Sequence, residues 1–205
     1  MVSEPRHIVL VGDSIFDNDV YVLGEPGVIE QMRQALPKGW SALKIAVDGD
    51  CIRDVAAQLV GLPTHATDLV LSIGGNDMIG YSHLLEGVTN PAALPGILTK
   101  PLAEFAAAYS ALLDRLASLP LKVTVCTVYT AIPFPEPQFR QYGAAAIGVF
   151  NRIIVSEAAK RRMGIIHLEV VCKEIGDFSA VSPIEPSAAG GAKIVAAILG
   201  HLGAA

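Results

Sequence analysis

The sequence has few cysteines, little charge and no long apolar run, and each shortage excludes a class of protein. The three cysteines, Cys51, Cys126 and Cys172, are far apart and form no Cys-x-x-Cys pair, which favours reduced, buried thiols over a disulfide framework. Only 17% of the 205 residues are charged, the formal net charge is −5, and no Lys/Arg block is present. We therefore expect no nucleic-acid partner. No stretch approaches the roughly 20 apolar residues of a membrane span, so no membrane partner is expected.

The amino terminus also lacks an export signal. Residues Met1–His7 include acid and proline, and the apolar run that follows them, Ile8–Val11, is too short for the apolar part of a signal peptide. Together with the cysteine pattern, this absence predicts a cytoplasmic protein.

Core-forming residues, by contrast, are abundant. Hydrophobic residues make up 52% of the sequence, which is enough for a substantial core and argues against disorder. The length suits one large domain, and no repeat or low-complexity tail divides the chain. We expect residues 1–205 to form a single domain.

Short aliphatic runs alternate with longer segments of helical periodicity. Five runs have the near-continuous aliphatic character of strands that are buried on both faces of a parallel sheet: Ile8–Val11, Ala42–Val47, Leu69–Ile73, Val123–Val128 and Ile165–Val170. The helical segments are about Val28–Leu36, Ile52–Leu59, Pro101–Leu119, Gln138–Arg162 and Ser187–Leu199, with Ser187 as an N-cap. The alternation predicts a three-layer α/β/α sandwich around a five-stranded parallel sheet.

Two proline-rich segments interrupt this pattern. Thr89–Pro101 is predicted to be a loop that joins helices, and Ile132–Pro137 follows the fourth strand. Both are expected on the side of the sheet where the strands end, which is where parallel α/β sheets bind ligands. These segments are therefore expected to wall a pocket.

Three polar turns follow the first three predicted strands. Ser14 lies in Gly12–Asn18, Gly49 lies in Val47–Asp50, and Asn76 lies in Ser72–Asp77. Taken singly, each turn has an ordinary interpretation, as a helix N-cap or a glycine turn. Three such turns at three successive strand ends are much less expected by chance, and they predict a site at this edge of the sheet.

In this order and spacing, the three turns resemble blocks I, II and III of the SGNH (GDSL-type) hydrolases, and the resemblance spans nearly the whole chain. It implies a flavodoxin-like fold and the hydrolysis of a small-molecule acyl or acetyl ester without a cofactor. In that family the block I serine attacks the ester carbonyl. The N–H groups of that serine and of the block II glycine form the oxyanion hole with the block III asparagine side chain. The resemblance assigns these roles to Ser14, Gly49 and Asn76.

Neighbouring acids are expected to support these turns. Asp17 and Asp77 are predicted to brace them by accepting hydrogen bonds from backbone N–H groups. Asp13, beside the serine, is a further candidate for the site.

The closing block departs from the family pattern of Asp-x-x-His before the last helix. Glu185 falls at the position of the histidine and Ser182 at that of the aspartate. Of the five histidines, only His83 is expected at the right edge of the sheet. Two interpretations of Glu185 remain open. It is either a base whose pKa, ordinarily about 4.3, is raised by burial, with Ser182 donating a hydrogen bond to it, or a cap of the last helix. Asp177 could supply the missing carboxylate or form a turn.

Three functions follow from these residues. The first is a serine ester hydrolase, or an acyltransferase of the same chemistry. The second is a non-catalytic protein that retains the pocket, has lost its base and binds a carboxylate or an acetylated sugar. The third, a nucleotide or phosphate binder, is disfavoured because the first strand end has no phosphate-binding glycine motif and carries Asp13. No metal site is predicted, because the histidines are dispersed, although a Mg²⁺ site made of clustered acids stays open.

Overall fold

A sheet of five parallel strands lies at the centre of the protein, in a computed structural model that describes residues 4–86, 88 and 90–204. The strands are β1 (His7–Gly12), β2 (Ser41–Lys44), β3 (Asp68–Ser72), β4 (Lys122–Cys126) and β5 (Gly164–Ile166). Their order is β2-β1-β3-β4-β5, and every neighbouring pair is parallel. This is the flavodoxin-like order of a doubly wound sheet. The predicted fold is confirmed.

Helices connect the strands and cover both faces of the sheet. The α-helices are α1 (Val28–Ala35), α2 (Val55–Gln58), α3 (Gly75–Ile79), α4 (Leu94–Ile97), α5 (Thr99–Ala117), α6 (Pro137–Lys160), α7 (Leu168–Val171) and α8 (Ala188–His201). The helix predicted at Ile52–Leu59 is divided, because 3-10 turns flank α2 on both sides. Ser187 caps α8 as predicted, since its hydroxyl accepts a hydrogen bond from the Gly190 N–H at 3.1 Å. Within the described part of the chain, no helix is long and apolar enough to cross a membrane.

The core is split by the sheet into two halves, as the alternation of side chains along a strand requires. Ile8 and Leu10 of β1 face one half, where α1 and α8 pack. Val9 and Val11 face the other half, where α5 and α6 pack. The central strands are buried on both faces as predicted, whereas the edge strand β2 is half-exposed.

The three cysteines are free thiols. Cys126 and Cys172 are buried and Cys51 is half-buried. Burial raises the pKa of Cys172 to about 12 and that of Cys126 still further. These two thiols are un-ionised at neutral pH, as inert structural cysteines are.

The second strand is shorter than its apolar run predicts. It ends at Lys44 because the N–H groups of Ile45 and Ala46 both donate to the carbonyl of Leu10, at 2.9 and 3.1 Å. Two donors on one acceptor break the one-to-one register of the ladder. The chain therefore leaves the sheet three residues before the predicted end.

Two other local predictions are wrong. The fifth strand ends at Ile166 because the carbonyl of His167 accepts two N–H groups of the following helix, α7. A short apolar run does not distinguish a strand from a buried helical turn. In the segment predicted as the loop Thr89–Pro101, Thr89 lies outside the described residues, and most of the remainder is helical in α4 and the start of α5. Pro101 is compatible with that helix because it lies in the first turn, where its missing N–H has no helical partner to lose.

Gly12 allows β1 to end against its neighbour β3. Its φ is +132°, and a Cβ added there would lie 1.7 Å from the carbonyl oxygen of Ser72. That oxygen accepts the N–H of Asp13 at 3.0 Å. Only glycine combines this backbone conformation with so close an approach.

We expect Gly12→Ala to lower the free energy of unfolding by about 3 kcal/mol or more, because the added methyl group must displace the end of β3. Urea denaturation would measure this loss. Gly148→Ala is the matched control, since a Cβ there meets nothing within 4 Å. It should gain about 0.5–1 kcal/mol, because alanine replaces glycine inside a helix. An unchanged unfolding midpoint for Gly12→Ala would contradict the assigned packing.

Candidate functional site

A cavity of about 120 Å³ opens at the carboxyl edge of the sheet, where β1, β3 and β4 end. Asp13, Ser14, Asn76 and Glu185 all line it. The first turn, the third turn and the closing block thus meet at one cavity, as predicted. Gly49 is exposed and lies outside the described lining of the cavity.

The Ser14 turn is tight and its backbone is well anchored. The Asp13 N–H donates to Ser72 across the sheet, and the Asp13 carbonyl accepts the N–H groups of Phe16 and Asp17 at 3.1 and 3.2 Å. The Ser14 N–H has no hydrogen-bond partner among the described residues. The turn therefore presents both a hydroxyl and an unused N–H donor at the cavity.

Gln58 joins the first turn to the second, and the sequence analysis missed it. Its Oε1 accepts the Gly12 N–H at 2.9 Å, while its Nε2 donates to the Gly12 carbonyl at 2.7 Å and to the Asp50 carboxylate at 2.6 Å. A glutamine inside a helical segment carries no sequence signal that marks such a role. The bonds follow from the fold, which brings α2 under the end of β1.

Asn76 joins the third turn to the second. Its Nδ2 donates one N–H to the carbonyl of Asp50 at 2.9 Å, and the other N–H of the same amide remains for a ligand. Gly49, which precedes Asp50, has a φ of +84° that favours glycine. The Gly49 N–H has no partner among the described residues.

The acids of the turns accept backbone N–H groups. The Asp17 carboxylate accepts from Asp48 at 2.9 Å and forms an ion pair with Lys44. The Asp77 carboxylate accepts from Ile52 at 3.1 Å. Asp17 and Asp77 thus stabilise the second turn and its exit, and neither has a visible role in chemistry.

The loop that carries Glu185 is fixed by its backbone. The Glu185 N–H donates to the carbonyl of Ser182 at 3.1 Å, and its own carbonyl accepts the N–H of Ser179 at 2.8 Å. The Tyr129 hydroxyl donates to the carbonyl of Ile184. These bonds hold the Glu185 side chain toward the cavity.

Asn18 is a second residue that the sequence analysis missed. Its side chain is fully buried. The Nδ2 donates to the carbonyl of Pro186 at 3.2 Å, and the Oδ1 accepts the N–H of Val28 at 2.8 Å. One amide therefore ties the Glu185 loop to the first residue of α1 and to the Ser14 turn.

Burial dominates the electrostatics of Glu185, which is 4% exposed. Burial raises the pKa of its carboxyl, and an interaction with the Ser14 hydroxyl lowers that pKa only in part. Its Oε2 is buried without a hydrogen-bond partner in the described part of the protein. Glu185 does not cap α8, because Ser187 occupies that position. The helix-cap interpretation is wrong.

Asp13 is a second buried carboxyl at the cavity. Burial raises its pKa to about 8, the Ile15 N–H at 3.2 Å opposes this rise, and the negative charges of Glu185 and Asp77 add to it. Asp13 is therefore mostly protonated at neutral pH. Among the described residues, no His, Lys or Arg lines the cavity to offset these acids.

Three other candidate residues lie elsewhere. Asp177 accepts two backbone N–H groups at 3.0 Å and pairs with Lys193 at 2.6 Å, so it is a turn former. His83 is exposed and its ring lies 3.1 Å from the carbonyl of Gly80. The predicted bond from the Ser182 hydroxyl to Glu185 is not formed, because Ser182 contacts Glu185 through its backbone carbonyl.

Known proteins resemble this chain in structure and not in sequence. No protein-family model matches it, and no curated protein shows significant sequence similarity. The extracellular lipase from Streptomyces rimosus matches with a TM-score of 0.69 at 19% identity, over 98% of this chain and 99% of the lipase. The chain has the fold of that enzyme.

Two further solved structures match over nearly their full length. The lipase Lip_vut3 from a goat rumen metagenome has a TM-score of 0.74 at 16% identity, over 96% of this chain and 97% of that one. The acetylxylan esterase Axe2 from Geobacillus stearothermophilus has a TM-score of 0.65 at 17% identity, over 97% and 94%. Likeness at such low identity establishes a shared fold.

Asp13 should make the protein less stable as the pH rises. The folded state holds a proton on Asp13 up to a pKa of about 8, whereas the unfolded chain loses it near 3.8. Between these values this group lowers the free energy of unfolding by about 1.4 kcal/mol per pH unit. Asp13→Asn keeps an oxygen for the Ile15 N–H and removes the titration. We expect the stability of this variant relative to wild type to increase by at least about 2 kcal/mol from pH 5 to pH 9.

Urea denaturation at pH 5, 7 and 9 would measure this difference. Glu86→Gln, at an exposed position, is the control for the loss of an acid and should follow wild type. If the free energies of unfolding of Asp13→Asn and wild type change equally with pH, Asp13 has the same pKa in the folded and the unfolded state.

Proposed function

We propose that this protein is an ester hydrolase in which Ser14 is the nucleophile and Glu185 is the general base. One observation carries the proposal. Ser14 and Glu185 line the same cavity, and Glu185 Oε2 is buried without a hydrogen-bond partner among the described residues. A buried, unpartnered carboxylate oxygen has a high affinity for a proton.

In the acylation step, Ser14 Oγ attacks the ester carbonyl carbon while its proton passes to the Glu185 carboxylate. The carbonyl π electrons move onto oxygen and give a tetrahedral oxyanion. When this collapses, the C–O bond to the alcohol breaks, and the Glu185 carboxylic acid returns the proton to the leaving oxygen. Water then attacks the acyl-serine by the same route, giving the free acid and restoring Ser14.

The oxyanion requires N–H donors that are not already used within the protein. The Ser14 N–H and the second N–H of the Asn76 amide meet this requirement at the cavity, and the Gly49 N–H, outside the described lining, is also unused. Each such donor typically contributes about 100- to 1000-fold in rate. The hydrogen bond from Asn76 to the Asp50 carbonyl joins the third turn to the turn that carries Gly49.

A protonated Asp13 makes an anionic base compatible with this site. If both carboxyls were ionised, two negative charges would face a developing oxyanion in an apolar cavity. Because burial raises the pKa of Asp13 to about 8, an ionised Glu185 is the one negative charge that the two carboxyls bring to the cavity. The structural similarity to a lipase and an acetylxylan esterase supports ester hydrolysis in general.

A non-catalytic binding protein is the second candidate. The observation that favours it is the lack of an imidazole among the described residues that line the cavity. Two buried acids without a cation would repel a carboxylate, so such a protein would bind a neutral ester or amide. Turnover assays separate this function from the first.

We expect Ser14→Ala to abolish turnover of nitrophenyl esters and Glu185→Gln to lower kcat/KM by about 100- to 10,000-fold, because the amide cannot accept the serine proton. The wild-type rate should rise with pH along a limb whose apparent pKa lies above the ordinary 4.5 of a glutamate. Initial rates from pH 5 to pH 9 would measure both effects.

Glu25→Gln, at an exposed position, is the matched control and should retain wild-type rates. Full activity in Glu185→Gln would exclude Glu185 as the base. Rates of Ser14→Ala and wild type that both equal the uncatalysed rate, in folded protein, would exclude the serine mechanism and leave the binding function.

A further inference from the structure

Most of the polar residues of the cavity come from one edge of the sheet. Asp13, Ser14, Asn76 and Glu185 lie in the strand-end turns and the closing loop. The walls beyond them are mostly apolar and are supplied by α3, by the segment that follows β4, and by α6; they include Met78, Ile132, Phe134 and Phe150. This division separates a reactive end from an apolar chamber.

Helix α6 contributes one face to the chamber. Gly143, Ala146, Ile147 and Phe150 line the cavity at spacings of three and four residues, which places them on one side of a helix. Gly143 and Ala146 are the smallest of the four. A Cβ at Gly143 would meet only Phe134, at 3.9 Å, so close packing does not require glycine there. The small residues leave space inside the chamber.

The floor of the chamber is rigid. Phe150 is 2% exposed and is held between Phe105, edge-on at 5.0 Å between ring centroids, and Tyr81, stacked at 6.4 Å. The Tyr81 hydroxyl donates to Glu104 at 3.0 Å. A fixed aromatic floor sets a limit to the length of any group that enters.

Apolar walls favour a hydrocarbon chain over a sugar. Each methylene group that leaves water gains about fourfold in affinity, whereas a sugar hydroxyl buried without a partner loses about tenfold. Glu185 must lie beside the leaving alcohol to return its proton to it, and Glu185 is held by the loop before α8. The acyl side of the ester is then directed toward α3 and α6.

We propose that this chamber binds an unbranched apolar acyl chain and that the small side chain of Ala146 on α6 leaves room for that chain. The inference rests on the proposed ester hydrolysis. It names esters of medium-chain fatty acids as the substrate class, in preference to acetylated sugars.

The test compares Ala146→Leu with Ala145→Leu, the same change at an exposed position of the same helix. Initial rates are measured on nitrophenyl esters from acetate to dodecanoate. Wild type should prefer a medium chain over acetate by at least about tenfold in kcat/KM. Ala146→Leu should lower the octanoate-to-acetate ratio by at least about tenfold, whereas Ala145→Leu should keep the wild-type ratio. A flat chain-length profile, or equal ratios in the two variants, would overturn the proposal.

Two further measurements identify which part of the proposal fails. Acetate esters of alkanols from ethanol to dodecanol test the alcohol side. A rate that depends on the length of the alcohol and not on the length of the acyl chain would overturn the acyl assignment. Calorimetry with 2-decanone, a neutral ketone, on Ser14→Ala tests the chamber without turnover. Binding that Ala146→Leu removes from this variant would support the chamber even if no ester is hydrolysed. If the wild-type enzyme hydrolyses esters and Ser14→Ala does not bind 2-decanone, the chamber assignment is overturned.

Discussion

Three buried amide side chains hold the loops at the carboxyl edge of the sheet, and the cavity depends on them. Gln58 bonds both backbone groups of Gly12, and Asn151 bonds both backbone groups of Val128, at 2.9 and 2.6 Å. Asn18 connects the Ser14 turn to the loop of Glu185. Where a parallel strand ends, its N–H and C=O groups lose their ladder partners and must be satisfied otherwise. An amide supplies a donor and an acceptor together and brings no charge into the core.

The sequence predicts the centre of this structure better than its connections. Continuous aliphatic runs identified all five strands, and the polar turns after β1 and β3 indicated Ser14 and Asn76, because an aliphatic run and a strand-end turn are local properties. The amides could not be found in this way. Asn18 bonds a carbonyl 168 residues further along the chain, and only the fold makes that contact. The end of β5 was missed because an apolar run also suits the turn of α7.

Placing a carboxylate where an imidazole is expected changes the electrostatics of the whole site. An imidazole base is neutral before it accepts a proton, whereas the proposed carboxylate base would be an anion in a cavity without a described cation. The same apolar walls that suit a hydrocarbon chain raise the pKa of Glu185, which brings a weak base closer to neutral pH. Those walls also keep a proton on Asp13, which limits the charge near the oxyanion. The proposed substrate preference and the proposed strength of the base therefore have one physical cause.

The closing loop can carry a different side chain without loss of the fold. Its conformation is fixed by backbone groups alone, since the carbonyls of residues 184, 185 and 186 accept hydrogen bonds from Tyr129, Ser179 and Asn18. None of these bonds uses the Glu185 carboxyl, and the cap of α8 belongs to Ser187. The residue at position 185 is held in place by bonds that do not depend on its identity. The chemistry at this position can thus change from an imidazole to a carboxylate while the sheet, the turns and the chamber remain as they are.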